Sequence, residues 1–180
     1  VPGRHNALNA TAALLSGMHA GLDFQTCAQG LLSFQGVDRR FHFKGEKKNI
    51  KIYDDYGHHP TEVSATLQAF REKYPKNRIV VMFQPHRFSR TQICWKEFTT
   101  CFNDCDELIL TDIYPAGEMP IAGIHSENLA KEMKHKNCYF FPKDKNLVAN
   151  IKDKLKSGDV FLTLGAGDGW KIGMSILESI

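Results

Sequence analysis

The sequence contains 180 residues, 42% of them hydrophobic, and its 23 Lys and Arg against 20 Asp and Glu give a formal net charge of +3. This length suits one good-sized domain, or a domain plus a fragment, with enough apolar side chains for a buried core. A positive charge this small and this evenly scattered does not indicate a nucleic-acid-binding domain, so we expect any anionic partner to be small.

The first 35 residues have the periodicity of two helices. Ala and Leu recur at helical spacing from Asn6 to about His19. Asp23 then precedes a second helical segment, where its side chain suits the N-cap position. The chain begins Val-Pro-Gly-Arg-His-Asn, without Met, so we expect it to be part of a longer protein.

The pattern changes to that of strands near Gly36. Phe41 and Phe43 alternate with polar residues, the segment GEKK predicts a turn, and NIKIY alternates again. We therefore place a domain boundary here and divide the chain into residues 1–35 and 36–180.

After this boundary, strands alternate with helices. Continuous apolar strands such as IVVMF and VFLTL suit a sheet that is buried on both faces, and the alternation implies parallel pairing with right-handed crossovers. We predict an α/β fold: a Rossmann-like, doubly wound and mostly parallel sheet of about six strands, preceded by two helices. The later strands are expected at 78–85, 106–113, 138–141 and 159–164, and the helices at 60–74, 89–102, 126–135, 145–155 and from about Trp170.

The five cysteines are odd in number and follow neither a CxxC pattern nor the spacing of secreted disulfide frameworks. We therefore expect reduced thiols and a cytoplasmic location. Cys94, Cys101 and Cys105 fall at helical spacing, which favours core packing over metal binding. No apolar stretch approaches the roughly 20 residues that span a bilayer, and the first residues lack a signal-peptide pattern, so we expect no membrane partner.

Four segments rich in polar side chains and glycine follow the ends of predicted strands. Ligands of parallel sheets bind beyond the carboxyl ends of the strands. The four segments should therefore meet at one edge of the sheet and form one site. They are DDYGHHP, QPHRFSR, TDIYPAGE and LGAGDG.

The segment DDYGHHPTE has two interpretations. In one, Asp54 or Asp55 caps backbone amides at a turn and the histidines are exposed. In the other, one Asp accepts hydrogen bonds from a ribose diol, while Tyr56 and His58 face a phosphate or a reacting group. His58 can titrate near neutrality, so it can serve as a donor, a cation or a base. The residues alone leave both interpretations open.

The segment PHRFSRT places Arg87 and Arg90 three residues apart at a predicted helix start, with His86 beside them and Ser89 as the expected N-cap. Two guanidinium groups there can bind a carboxylate or a phosphate with help from the helix dipole. The alternative is an ordinary solvated helix face.

Two glycine-rich or Asn-rich segments carry weaker signals. GRHNALNATAA places His5, Asn6 and Asn9 at a helix entrance, where Asn can match adenine or simply cap the helix. TLGAGDGWKIG has the shape of a phosphate-binding turn, but it lacks the third glycine of G-x-G-x-x-G, and a tight turn explains it equally well. The sequence contains no G-x-x-x-x-G-K-[ST] loop for the phosphates of ATP.

The motifs GRHNALNATAA, GVDRRFHFKG, DDYGHHPTEV, FQPHRFSRT, TDIYPAGE and TLGAGD, in this order, resemble the C-terminal part of the Mur ligases. The resemblance implies an ATP-dependent amide ligase of peptidoglycan synthesis that works through an acyl phosphate. It is strongest to the members that join L-alanine to UDP-N-acetylmuramate. Residues 1–35 would then be the last helices of the central ATP-binding domain, and residues 36–180 the C-terminal Rossmann-like domain that closes over the site.

The resemblance also implies roles for individual residues. His5, Asn6 and Asn9 fall in the segment that binds adenine and ribose, Asp55 matches the ribose-binding aspartate, and Tyr56 lies where the C-terminal domain meets the nucleotide.

A second group matches the part of the site where the reaction takes place. His58 lies where the C-terminal domain meets the nucleotide and the amino acid, and His86, Arg87 and Arg90 match a basic cluster that faces the amino-acid carboxylate and the tetrahedral intermediate. An Arg pair suits this role because it orients a carboxylate and offsets developing negative charge.

The resemblance implies that the family's P-loop lysine, magnesium-binding glutamate and UDP pocket belong to sequence upstream of Val1. We therefore expect ATP and Mg²⁺ to act in the parent enzyme, the chain alone to be inactive, and no metal site within it. The alternatives are a ligase of the same family that recycles murein peptides, a stand-alone nucleotide-binding domain, or a hydrolase that holds a metal with His58, His59 and His86.

Overall fold

The computed structural model describes residues 2–34 and 36–180, and its centre is one six-stranded sheet. Along the sheet the strand order is β1-β2-β6-β3-β4-β5. Only the β1–β2 pair among these strands is antiparallel. The predicted mostly parallel sheet of six strands is confirmed. The strands are β1 His42–Lys47, β2 Ile50–Asp55, β3 Ile79–Phe83, β4 Glu107–Leu110, β5 Cys138–Phe140 and β6 Val160–Leu164.

Helices precede the sheet and connect its strands. The two predicted N-terminal helices are present, and the Asp23 carboxylate caps the second by accepting a 2.9 Å hydrogen bond from the Thr26 N–H. The helices are α1 Arg4–His19, α2 Phe24–Ser33, α3 Pro60–Lys73, α4 Phe88–Ile93, α5 Trp95–Phe98, α6 Ser126–Glu132, α7 Leu147–Lys152 and α8 Trp170–Ser179.

Both faces of the sheet are covered, as the continuous apolar strands predicted. Every residue of β3 and β6 is buried. Phe70 of α3 belongs to the core on one face, while Ile151 of α7 and Ile176 of α8 belong to the core on the other. Because side chains alternate along a strand, Asp54 and Asp55 at the end of β2 point to opposite faces.

The first two helices contribute no buried side chains to the hydrophobic core. Neither α1 nor α2, both described along their whole length, contains a buried residue. Leu15 is 59% exposed and Leu32 is 85% exposed. The apolar side chains that gave these helices their periodicity therefore lie largely open to solvent.

The hairpin between β1 and β2 turns later than predicted. The segment GEKK was expected to turn, but β1 continues through Lys47 and the turn lies at Lys48 and Asn49, whose φ angles are 50° and 61°. Two successive positive φ angles are typical of a two-residue hairpin turn, and Asn tolerates this conformation. Gly45, with φ of 152°, lies at the irregularity that shifts the register of the pair.

The predicted helix at 89–102 was wrong in two respects. It is divided into α4 and α5, which meet at Cys94, where ψ is 19°. Its N-cap is Arg87 rather than Ser89. The reason is tertiary: the Ser89 N–H and hydroxyl both donate to the Glu118 carboxylate, at 2.9 and 2.6 Å.

The cysteines are free thiols, as their number and spacing predicted. All five cysteines lie in the described part of the chain as free thiols, and the predicted core positions Cys94, Cys101 and Cys105 are buried. Within residues 2–34 and 36–180 the helices are too short or too polar for any of them to cross a membrane.

Candidate functional site

A cavity of about 600 Å³ lies between α1, α2 and the end of β2. It receives His5, Asn6 and Asn9 from α1, so the structure brings together the three side chains predicted at that helix entrance. Asp55, at the end of β2, also lines the cavity. The remaining lining residues are Ala10, Ala13, Leu31, Phe34, Val37, Arg40, Phe41 and Thr66.

Asp55 is the acidic group of this cavity, although only 4% of it is exposed. Its carboxylate accepts hydrogen bonds from the N–H groups of Phe41 and Gly57, both at 2.8 Å, and from the Thr66 hydroxyl at 3.3 Å. Burial raises the pKa of Asp55, while these bonds and the charge of Arg40 oppose the rise. The carboxylate caps backbone amides, as in the turn interpretation. It also lines the cavity, as the ribose-binding interpretation requires.

Asn6 is partly engaged by the helix start. Its side-chain amide donates to the Pro2 carbonyl at 2.7 Å and lies 3.0 Å from His5 Nε2. Asn9, one turn further along α1, also reaches the cavity. Local capping therefore explains Asn6 better than it explains Asn9.

A row of four rings, Tyr56, His58, His86 and Tyr114, crosses the carboxyl ends of β2, β3 and β4. Tyr56 and His58 meet edge to face with ring centroids 5.4 Å apart, and the rings of His58 and His86 lie 5.6 Å apart. The His86 and Tyr114 rings are stacked, with their centroids 5.4 Å apart and an angle of 10° between their planes. We call this set the ring row. It adjoins the cavity because Tyr56 follows Asp55 and lies beneath the Arg40 guanidinium.

The two histidines of the ring row are held by different neighbours. His58 Nδ1 lies 2.9 Å from the Tyr56 carbonyl oxygen and 3.6 Å from the Glu62 carboxylate. His86 Nδ1 lies 3.2 Å from an Arg90 nitrogen. Burial lowers the pKa of His86, and the charges of His58, Arg90 and Arg87 lower it further.

Arg87, in the segment after β3, has an uncommon backbone conformation. Its φ is 73°, and its N–H donates to the Tyr114 carbonyl at 2.8 Å. One guanidinium nitrogen lies 3.9 Å from the Glu118 carboxylate, which also holds Ser89. The Ser89 hydrogen bonds lower the pKa of Glu118. Arg87 is thus anchored by its main chain, while its side chain remains half exposed.

Asp54 has a structural role that the sequence did not distinguish from that of Asp55. It is 1% exposed and accepts hydrogen bonds from Arg39 at 2.9 Å and from the Thr163 hydroxyl at 2.7 Å. Arg39 also donates to the Gly165 carbonyl at 2.6 Å and lies over the Tyr56 ring. The Arg39–Asp54 pair therefore ties the segment before β1 to the ends of β2 and β6.

The glycine turn after β6 is filled by protein groups. A Cβ at Gly165, where φ is 140°, would lie 2.5 Å from the Gln84 carbonyl oxygen, and one at Gly167 would meet the Gln84 side chain and Tyr114. The Gly169 N–H donates to the Gln84 amide oxygen at 2.9 Å, and Lys143 pairs with Asp168. These contacts favour the tight-turn interpretation over a phosphate cradle.

The described residues contain no group of three or more His, Cys, Asp and Glu side chains arranged to hold a metal ion. The hydrolase alternative needs such a group around His58, His59 and His86. His59 instead serves as the N-cap of α3, where its Nδ1 accepts from the Thr61 N–H at 3.3 Å.

Sequence reasoning missed four side chains that position the site: Arg39, Arg40, Glu62 and Glu118. The two arginines lie in GVDRRFHFKG and Glu118 in TDIYPAGE, so their segments were noticed without a role for each residue. Glu62 could have been found from the spacing of a capping box, with His59 in the place of the usual Ser or Thr.

Comparisons with known proteins identify the family and the fold. A family model described as "Mur ligase, glutamate ligase domain" matches residues 39–167. The UDP-N-acetylmuramate–L-alanine ligase of Bdellovibrio bacteriovorus is 65% identical over 180 residues, which are 100% of this chain and 40% of that protein. The chain thus spans about two fifths of the length of the curated relatives it matches.

Solved structures show the same fold. A crystal structure of the UDP-N-acetylmuramate–alanine ligase MurC from Thermotoga maritima is 30% identical with a TM-score of 0.79, and the match covers 99% of this chain and 38% of that one. The MurF ligase from Thermotoga maritima, solved in complex with ADP, is 20% identical with a TM-score of 0.66, covering 98% and 38%. At that identity the MurF structure supports the fold alone.

Proposed function

Because this chain belongs to the Mur ligase family, we propose that it is the C-terminal part of an ATP-dependent ligase that joins L-alanine to UDP-N-acetylmuramate. The observation that carries the proposal is the adjacency of the cavity and the ring row. One edge of the sheet thereby offers a nucleoside-sized space next to a cluster of imidazole and guanidinium groups.

The cavity is the proposed adenosine site. A volume of about 600 Å³ lies within the range of about 300–1,000 Å³ typical of small-molecule sites. Asn9 would hydrogen-bond adenine, with His5 and Asn6 beside it, and Asp55 would accept hydrogen bonds from the ribose hydroxyls. Tyr56, at the junction with the ring row, would lie next to the nucleotide.

The ring row and its arginines form the proposed amino-acid site. Arg87 and Arg90 would bind the alanine carboxylate and offset the negative charge of the tetrahedral intermediate. His58 and His86 lie between these arginines and the cavity, so they would face the reacting atoms.

We propose that Mg²⁺ and the ATP phosphates bind to the parent enzyme outside this chain, together with the UDP-sugar. Among the described residues no three or more His, Cys, Asp and Glu side chains are grouped around a possible metal position. The cytoplasmic location stays a prediction.

The domain division also stays a proposal. We infer that residues 1–35 are the last helices of the central domain and that the rest of the ligase covers their exposed apolar side chains. Residues 36–180 would be the domain that closes over the site.

The test is phosphate release by the full-length protein with one substrate omitted at a time. We expect release to require ATP, L-alanine and UDP-N-acetylmuramate together. Release that depends on a murein peptide in place of L-alanine would identify a recycling ligase and overturn the proposal. The chain alone should release no phosphate under the same conditions.

A further inference from the structure

The two imidazoles of the ring row face groups of opposite hydrogen-bonding character. His58 Nδ1 lies beside the Tyr56 carbonyl oxygen at 2.9 Å and the Glu62 carboxylate at 3.6 Å. A carbonyl oxygen only accepts hydrogen bonds, so Nδ1 must carry a proton. When the ring is neutral, the bare nitrogen of His58 is therefore Nε2.

His86 has the reverse arrangement. Its Nδ1 lies 3.2 Å from an Arg90 guanidinium nitrogen, which can only donate. Nδ1 therefore accepts, and the proton of the neutral ring lies on Nε2. Burial and the charges of His58, Arg90 and Arg87 disfavour a second proton and lower the pKa of His86.

We propose that His58 is the base that accepts the proton of the attacking amine through Nε2, that His86 is a neutral Nε2–H donor to the anionic oxygen, and that Glu62 positions His58. This proposal rests on the proposed ligase function, which places both rings next to the reacting atoms.

The chemical step balances with these roles. The neutral amine attacks the acyl carbon of the acyl phosphate, and as the new C–N bond forms the C=O π electrons move onto the oxygen, which gives the tetrahedral intermediate. The C=O bond then re-forms as the C–O bond to phosphate breaks. Phosphate leaves with the electrons of that bond. The proton that the nitrogen loses passes to His58 Nε2, and the resulting imidazolium is stabilised by the Glu62 carboxylate.

Glu62 is built to remain charged beside His58. Its carboxylate accepts from the N–H groups of His58 and His59, at 2.9 and 3.2 Å, in the capping box of α3. Burial raises its pKa, but these hydrogen bonds and the charges of His58 and Arg40 lower it below its usual value. The other titratable or charged groups around the two rings are Tyr56, Arg39, Arg87, Arg90, Tyr114 and Glu118.

The first test reads the tautomers directly in this 180-residue chain. Long-range proton–nitrogen NMR spectra distinguish a protonated from a bare ring nitrogen. At a pH where both rings are neutral, we expect His58 to carry its proton on Nδ1 and His86 on Nε2. The same tautomer in both rings would overturn the proposal, whatever the activity of the full-length protein.

The second test uses isosteric variants of the full-length ligase. In His58→Gln a base is lost, so kcat should fall by about 10²- to 10⁴-fold and should recover partly with added imidazole. In His86→Gln the amide N–H replaces the Nε2–H donor, so the loss should be near tenfold, without imidazole rescue. His59→Asn keeps the helix cap and is the matched control, with kcat within about twofold because only the cap is exchanged.

Glu62→Gln keeps an acceptor for the helix cap but removes the charge. We expect kcat to fall about tenfold while the KM for alanine stays within about twofold, because the arginines that bind its carboxylate are unchanged. A wild-type enzyme that needs L-alanine, combined with a fully active His58→Gln, would overturn this inference and leave the ligase function intact. A wild type without alanine dependence would instead overturn the ligase function.

Discussion

The first two helices and the sheet use their apolar side chains in opposite ways. The structure describes every residue of α1 and α2, and none of them is buried. In β3 and β6 every residue is buried. Helices of 16 and 10 residues gain little stability by themselves. The sheet therefore carries the stability of the chain, and the two helices add little to it.

This difference divides the candidate site as well. The ring row stands entirely on the ends of β2, β3 and β4, so its geometry is set once the sheet has formed. The cavity is lined by residues of α1 and α2 and by residues around the end of β2. Its shape therefore depends on how α1 is held, and the following variants test this contrast.

The largest effect should come from matched phenylalanine truncations. Phe83 of β3 is fully buried, whereas Phe24 of α2 is 52% exposed. We expect Phe83→Ala to lower the free energy of unfolding by about 3–5 kcal/mol and Phe24→Ala by less than about 0.5 kcal/mol. Urea unfolding of the 180-residue chain measures both. Equal losses would show that α2 is part of the cooperative core.

The next effect concerns Arg90 in the proposed full-length ligase. Arg90→Lys keeps the charge but loses the planar fork and the contact with His86. We expect a loss of about 2–4 kcal/mol, or roughly 30- to 1000-fold in kcat/KM for alanine, while the KM for ATP changes little. Exposed Arg4 of α1 gives the matched control Arg4→Lys, which should leave the alanine kinetics as in wild type. Wild-type alanine kinetics in Arg90→Lys would indicate a merely solvated side chain.

A pair of glycine substitutions separates steric contact from backbone strain. Gly165 and Gly21 both have positive φ, at 140° and 95°, but only at Gly165 does a Cβ meet another group, the Gln84 carbonyl oxygen at 2.5 Å. We expect Gly165→Ala to cost about 2–3 kcal/mol and Gly21→Ala about 1 kcal/mol. Thermal unfolding gives the comparison. A smaller cost at Gly165 would mean that the turn after β6 yields easily.

The smallest perturbation is alkylation of thiols without any substitution. Burial raises the pKa of the Cys101 thiol to about 12, so at pH 8 only about one molecule in 10⁴ carries its thiolate. Cys27 of α2 is only partly buried. Iodoacetamide followed by peptide mass spectrometry should label Cys27 long before Cys101. Simultaneous labelling in the folded chain would contradict the burial of Cys101.

The sheet could be predicted from the sequence because its signals are local. Apolar runs such as IVVMF specify a buried strand whatever lies next to them, and Asp23 caps the residue three positions later. The wrong N-cap prediction at Ser89 has a distant cause. Ser89 binds Glu118, 29 residues away, so a residue with the character of an N-cap serves another purpose.

The sequence drew attention to the two histidines of the candidate site, but it predicted neither their tautomers nor the roles of Arg39, Arg40, Glu62 and Glu118. The segments that end at one sheet edge revealed His58 and His86, and their neighbours determine the tautomers. Arg90 and Glu62 each lie four residues from the ring that they contact, on helices whose start fixes their direction. The sequence shows the spacing, but only the fold shows which ring nitrogen each side chain meets.

The position of β6 has a consequence for how the protein is made. This last strand in chain order lies between β2 and β3, and its pairing partners begin 109 residues earlier, with Lys51 opposite Val160. During translation, the hairpin of β1 with β2 and the group of β3, β4 and β5 emerge from the ribosome before the strand that joins them. Both present open backbone edges until then, which favours slow folding and exposure to aggregation. A nascent chain that stops short of Val160 would therefore be two unjoined pieces of sheet rather than a smaller working domain.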